Sequence, residues 1–186
     1  MEDRAISLAH SIIGVSHGRP EHDFYPTPSF ATISLLQKEK FEGLIWEPAC
    51  GDGAISKVLE EKGYTVWSTD LYDYGYGNVG VDFLHSYKKV PNIITNPPYK
   101  LAQAFVEHAL ECTERKVAML LKLQFLEGAG RYKFFKSSPL KNVYVFSKRL
   151  SMNRNGIKMK NKGMICFAWF VWEHGYKGQP IIDWIL

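Results

Sequence analysis

One run of residues constrains the fold more than any other: a strand, a glycine-rich turn, a helix, a second strand and an acid, between positions 44 and 70. Leu44-Ile45-Trp46 is apolar and leads into Glu47-Pro48-Ala49-Cys50-Gly51-Asp52-Gly53. Residues Ala54 to Lys62 follow with Ile55, Val58 and Leu59 spaced for one helix face and Gly63 as a C-terminal stop. Tyr64 to Thr69 then reads as a strand ending in Asp70. Two strands joined through a helix run parallel, and a parallel sheet needs cover on both faces.

The pattern continues downstream. Val81-Asp82-Phe83 reads as the end of a third, short strand, Asn92 to Thr95 as a fourth, Val117 to Leu123 as a fifth, Val143 to Phe146 as a sixth and Met164 to Trp172 as a seventh. Leu101 to Cys112 is helical in pattern, with Leu101, Phe105 and Ala109 stacked along it. A further helix is expected after Pro28, with Ser29 near its start and Phe30, Ile33 and Leu36 on one face. In the last strand, alternation puts Ala168, Phe170 and Trp172 on one face and Phe167 and Trp169 on the other. The expected fold class is α/β, a doubly wound Rossmann-like sheet, mostly parallel.

The 186 residues are read as one domain with a polar lead-in over residues 1–23. The composition, 46% hydrophobic and 23% charged, excludes a wholly disordered chain and needs no staple. Cys50, Cys112 and Cys166 are odd in number and widely spaced, which suits a reducing cytoplasm rather than a disulfide framework. His10, His17, His22, His85, His108 and His174 form no ligand spacing and read as surface residues, so no metal is expected. The N-terminus starts acidic and lacks the pattern of a signal peptide. The longest apolar run, Met164 to Trp172, is too short for a membrane helix.

Charge is unevenly distributed. Residues 122–162 hold 11 Lys/Arg and one acid, Glu127, while residues 1–121 hold 11 Lys/Arg and 16 Asp/Glu. Such a block reads as a polyanion-binding face, because cations beside phosphates release condensed counterions; a solvated basic surface is the alternative. The stretch 128–163 is therefore the candidate polyanion-contact region. Lys148, Arg149, Arg154, Lys158 and Lys160 are its leading phosphate contacts, and Arg131, Lys133 and Lys136 are weaker ones. Ser151 to Gly163 is the candidate mobile loop.

The turn Ala49 to Gly53 has two glycines, which permit a sharp reversal and close approach to a ligand. Asp70 and the adjoining Leu71 close the next strand, where an acid can accept both hydroxyls of a ribose. Asp82 could accept from an adenine amino group while Phe83 covers the ring. The acid at position 52 would repel a pyrophosphate but tolerates positive charge. S-adenosylmethionine, with its sulfonium and ammonium, fits that electrostatics better than NAD. A plain strand-to-helix turn is the alternative.

Asn96-Pro97-Pro98-Tyr99 directly follows an apolar strand. An exocyclic amine on an aromatic base is a poor nucleophile, because its lone pair is delocalised into the ring. The Asn96 side-chain oxygen and the Pro97 carbonyl can each accept one N–H and favour a tetrahedral nitrogen. The prolines preorganise these acceptors, and Tyr99 offers a face for stacking. A simple double-proline turn is the competing reading. Cys50 lies inside the cofactor turn, the wrong place for the nucleophile of a cytosine C5 methyltransferase.

These residues resemble the class I S-adenosylmethionine-dependent DNA adenine-N6 methyltransferases, in particular small orphan enzymes of phage and prophage type. Asn96-Pro97-Pro98-Tyr99 is similar to their catalytic motif, and Glu47 to Gly53 to their cofactor motif. Tyr25-Pro26-Thr27-Pro28 is similar to the preceding segment, in which the Thr helps hold the methionine end. The resemblance spans roughly residues 22–175. It implies a seven-stranded sheet with an antiparallel last strand, S-adenosylmethionine as cofactor, DNA as partner, base flipping and methylation at adenine N6. It also implies an aromatic residue near the last strand's end to sandwich the base against Tyr99; Trp172 is the candidate, with core packing as the alternative. The same tetrapeptide occurs in RNA adenine and protein glutamine methyltransferases, which are the rival enzyme readings. A non-catalytic nucleic-acid-binding module is the rival from another class.

Overall fold

The computed structural model describes residues 24–150 and 165–186. The elements, in chain order, are α1 (Ser29–Lys38), β1 (Ile45–Glu47), α2 (Ser56–Glu61), β2 (Val66–Ser68), β3 (Val90–Thr95) and α3 (Ala102–Cys112). They continue with β4 (Thr113–Lys122), α4 (Tyr132–Ser137), β5 (Leu140–Phe146), β6 (Phe167–Glu173) and β7 (Ile181–Ile185). The seven strands form one sheet in the order β2-β1-β3-β4-β6-β5-β7. Both pairings of β6 are antiparallel and all others are parallel. This is the expected doubly wound α/β architecture, and its antiparallel member is the strand expected last by resemblance.

Alternation along the strands builds a core on each face. Trp46, Ile93, Met119, Leu121, Phe170 and Trp172 pack with α3 on one side. Ile45, Ile94, Leu120, Trp169 and Val171 pack with Ala31, Leu35, Ile55 and Leu59 on the other. The buried indoles keep their N–H groups paired: Trp46 donates to Thr69 Oγ1 at 2.9 Å and Trp169 to the Ala31 carbonyl at 2.8 Å.

The seven strands are not the seven expected. Val81-Asp82-Phe83 is not a strand; Asp82 caps a 3₁₀ turn, Phe83–His85, by accepting the Leu84 N–H at 3.0 Å. Its apolar signal comes from Phe83, which is buried against Trp46 and Phe105. The seventh strand is β7, five residues held beside β5 in regular parallel register.

Three smaller expectations also change. On α1 the buried face carries Ala31, Thr32, Ser34, Leu35 and Leu36, while Phe30 and Ile33 are exposed. Leu101 lies in a 3₁₀ turn ahead of α3 and is exposed. His108 is buried: its Nε2 lies 2.9 Å from the Ser86 carbonyl, and its ring meets Phe83 edge-on. His85 and His174 are exposed, as expected. The lead-in 1–23, with three histidines, and the candidate loop Ser151 to Gly163 fall outside the described residues. Among the described residues no helix is long and apolar enough to cross a membrane.

Candidate functional site

Strand order reverses beside β1, so the turns after β1, β2 and β3 open a crevice at the carboxyl edge of the sheet. The crevice is a cavity of about 520 Å³, within the usual range for a small-molecule site. Of the expected cofactor residues, Tyr25, Pro26, Thr27, Glu47, Pro48, Ala49, Cys50, Asp52, Asp70, Leu71, Asp82, Phe83 and Asn96 line it. Gly51 and Gly53 do not. They form the turn itself, with φ of +54° and +79°, a region open chiefly to glycine.

Aromatic rings of the protein lie against both glycines. A Cβ on Gly51 would collide with the Phe24 ring, and one on Gly53 would lie 2.6 Å from the Tyr76 ring. Phe24 in turn stacks on Tyr74, with centroids 4.2 Å apart. The glycines are therefore required by the protein's own packing as well as by chain reversal. Phe24 and Tyr74 line the cavity and were not expected there. For Tyr74 the alternation of Tyr and Gly from Tyr74 to Gly77 was the available signal.

Four carboxyl groups face the cavity, in different states of engagement. Glu47 accepts the backbone N–H of Ser56 at 2.8 Å and also its hydroxyl. Burial pushes its carboxyl well above the usual range, and Asp70 and Asp52 add to the rise. Asp70 is buried and spans the turn: its oxygens accept from Gly51 N–H at 2.8 Å and Tyr72 N–H at 2.9 Å. Asp82 holds the Leu84 N–H and lies 2.7 Å from His85 Nδ1. Asp52 Oδ1 is buried with no hydrogen-bond partner among the described residues. Burial, with these carboxylates nearby, pushes the Cys50 thiol up to about 12, so it is no nucleophile at neutral pH.

Asn96 directly follows the apolar strand β3 at the cavity wall. Its Nδ2 donates to the Tyr25 carbonyl and to Thr27 Oγ1, each at 3.1 Å. The amide plane is thereby held, and Oδ1 is left buried with no partner among the described residues. Pro98 lines the cavity; Pro97 and Tyr99 do not. The Tyr99 ring lies 6.0 Å from Tyr25, 5.7 Å from Phe167 and 5.0 Å from Lys122 Nζ.

Trp172 is not near this site. It is fully buried at the far end of β6, opposite Val117 and beside Phe134. Because β6 runs antiparallel, its first residue, Phe167, reaches the carboxyl edge opposite Lys122.

Lys148 and Arg149 are exposed just beyond the carboxyl end of β5, on the same edge as the cavity. Arg154, Lys158 and Lys160 lie outside the described residues. Lys133 and Lys136 are exposed on α4. Arg131 instead braces the preceding loop, donating to the Phe125 and Glu127 carbonyls. Lys100 lines the cavity and was not expected there. Among the described residues no group of three His, Cys, Asp or Glu side chains could hold a metal.

No protein-family model and no curated protein sequence matches the chain. Solved structures resemble it in fold. A predicted RNA methyltransferase from Pyrococcus horikoshii superposes with a TM-score of 0.62 at 13% identity, covering 89% of this chain and 96% of that one. The modification subunit of a predicted type I restriction enzyme from Vibrio vulnificus gives 0.59 at 11% identity, over 95% of this chain and 49% of that one. Magnesium protoporphyrin IX methyltransferase from Synechocystis, solved with bound S-adenosylmethionine, gives 0.50 at 13% identity, over 78% and 76%. At these identities the likeness establishes the fold, that of the class I methyltransferases.

Proposed function

We propose that the chain is an S-adenosylmethionine-dependent methyltransferase that acts on the N6 amino group of adenine in DNA. The carrying observation is Asn96: a buried oxygen with no partner among the described residues, locked in orientation at the wall of an acid-lined cavity. A buried unsatisfied acceptor costs about 1–3 kcal/mol, a cost that a ligand N–H would remove.

The cavity residues fit the cofactor. Asp52 Oδ1, also buried and without a partner among the described residues, is an acceptor for an ammonium group. Asp70 retains lone pairs beyond its two backbone partners, which suit ribose hydroxyls. Leu71 and Phe83 offer apolar surface and Asp82 a carboxylate for an adenine. This acidic lining opposes a phosphate-rich ligand and favours a cationic one. When bound, the cofactor supplies a methyl group on a positively charged sulfur. Asn96 Oδ1 and the Pro97 carbonyl would hold the two N–H bonds of the target amine and orient its lone pair. The step then depends on positioning more than on a strong base. A base within a duplex cannot reach Asn96, so the target must be flipped out, at a few kcal/mol. Tyr99, with Phe167 replacing Trp172 as its companion, supplies the stacking surface, and Lys148 and Arg149 the phosphate contacts.

The test is incubation with tritiated S-adenosylmethionine and DNA, RNA and protein acceptors separately, followed by nucleoside and amino-acid analysis. Label in N6-methyladenine from DNA is expected. Label confined to RNA or to glutamine would transfer the site to the rival substrates, and no transfer to any acceptor would overturn the enzymatic reading.

A further inference from the structure

We infer that the outer edge of β7 is the interface through which two copies of this chain pair. The strand is last in the sheet order, hydrogen-bonded only to β5 among the described residues. Such edges are normally protected by lysine, an internal proline or a bulge. Here Pro180 precedes the strand, the register with β5 is regular, and the single charge, Asp183, is neutralised by Lys38 at 2.9 Å.

The exposed side chains are apolar. Trp184 is 63% exposed and Ile182 52%. Alternation puts both on the same face, opposite to that of the buried Ile185. On that face, beside Ile182, lies a shallow, open hollow walled by Tyr132, Phe135, Leu140, Val143 and Pro180, with Lys136 at its side. A protruding indole and an apolar hollow therefore occupy one surface. That combination is what a two-fold interface requires, since each copy must offer both the contact and its complement. If two β7 strands pair antiparallel, Trp184 of one copy lies across from residues 180–182 of the other, at the rim of its hollow.

Ile182, Trp184, Tyr132 and Leu126 are each one-third to two-thirds exposed. They offer on the order of 400 Å² per copy, at about 200 Å² for each full side chain. That is about half of the ~800 Å² that each partner buries in a standard interface, and the open strand backbone and rim add to it. β7 carries no cation for phosphates and the hollow beside it is lined by one, Lys136, so the patch fits a copy of itself better than a nucleic acid. This inference does not rest on the proposed reaction.

The test is sedimentation velocity of the full chain over a concentration series, with hydrogen exchange run in parallel. Twice the monomer mass is expected, with concentration-dependent protection of residues 181–185. Trp184→Lys should weaken association at least tenfold, as for a buried aromatic anchor. Phe30→Lys, on the exposed face of α1, should leave association unchanged. A thermal melt checks that each variant folds; should Trp184→Lys fail to fold, protection of residues 181–185 in the parent chain decides. A parent chain that stays monomeric throughout would overturn the inference. So would a dimer indifferent to Trp184→Lys, or protection that appears elsewhere.

Discussion

Asn96 and Asp70 both line the cavity; the proposed reaction gives them different tasks, and their substitutions should separate accordingly. Asn96→Ala removes the buried Oδ1 acceptor and is expected to lower turnover about 10²–10³-fold, by analogy with loss of one preorganised hydrogen-bonding group. Cofactor affinity should stay nearly unchanged, since the proposed reaction assigns that acceptor to the target amine; single-turnover transfer and calorimetry read the two effects. Asp70→Ala should do the reverse. It removes a carboxylate that closes the Gly51 turn and to which the proposal assigns the ribose hydroxyls. A loss of about 1.5–3 kcal/mol, or roughly 10–100-fold in Kd, follows for a charged hydrogen bond, and unchanged calorimetric affinity would refute the ribose assignment. Glu47 gives a pH signature. Its folded pKa is raised above the ordinary value of 4.5, so the folded state retains a proton that the unfolded chain has lost. Stability from this group is complete below about 4.5 and declines as pH rises towards the folded value. Glu47→Gln, neutral at every pH, should flatten that decline, as read from denaturant unfolding at stepped pH.

Among the elements, β6 is the most informative. Its six residues from Phe167 to Trp172 are all buried, alternating between the two cores. Trp169→Ala should therefore cost about 3–5 kcal/mol, visible as a large drop in denaturation midpoint. The alternation of β6 was legible in the sequence because it depends only on the strand's own period. Its useful end was not. An antiparallel strand brings its first residue to the edge where parallel strands bring their last, so Phe167 and not Trp172 stands near Tyr99. The turn Val81 to Phe83 misled in the same way: a buried phenyl gives an apolar signal whether strand or 3₁₀ turn carries it. On α1, the polar Thr32 and Ser34 are inside and Phe30 is outside, because packing against the sheet, not the helix's own pattern, chose the buried face.

For the molecule as a whole, charge and the cavity lie on one edge. Lys148 and Arg149 follow β5 on the carboxyl side, where Asn96 also follows its strand. Replacing both by Glu should weaken DNA binding and flatten the dependence of log K on log salt by about 0.9 per lost phosphate contact. A titration across a salt series checks this, and an unaltered slope would return the two residues to ordinary surface.

Local chemistry was readable from the chain alone: the glycine turn, the acids at the strand ends, the proline-braced Asn96 and the two-faced strands. Each depends on residues close in sequence, where backbone geometry and side-chain period act directly. Folding in three dimensions settled the rest: the rings over Gly51 and Gly53, the oxygens of Asn96 and Asp52 left without a partner among the described residues, the reach of Phe167, and a seventh strand at the end of the sheet order. These are relations between segments distant in sequence. Strand order, direction and the partners left over after packing are properties of the assembled sheet, and no single segment carries them.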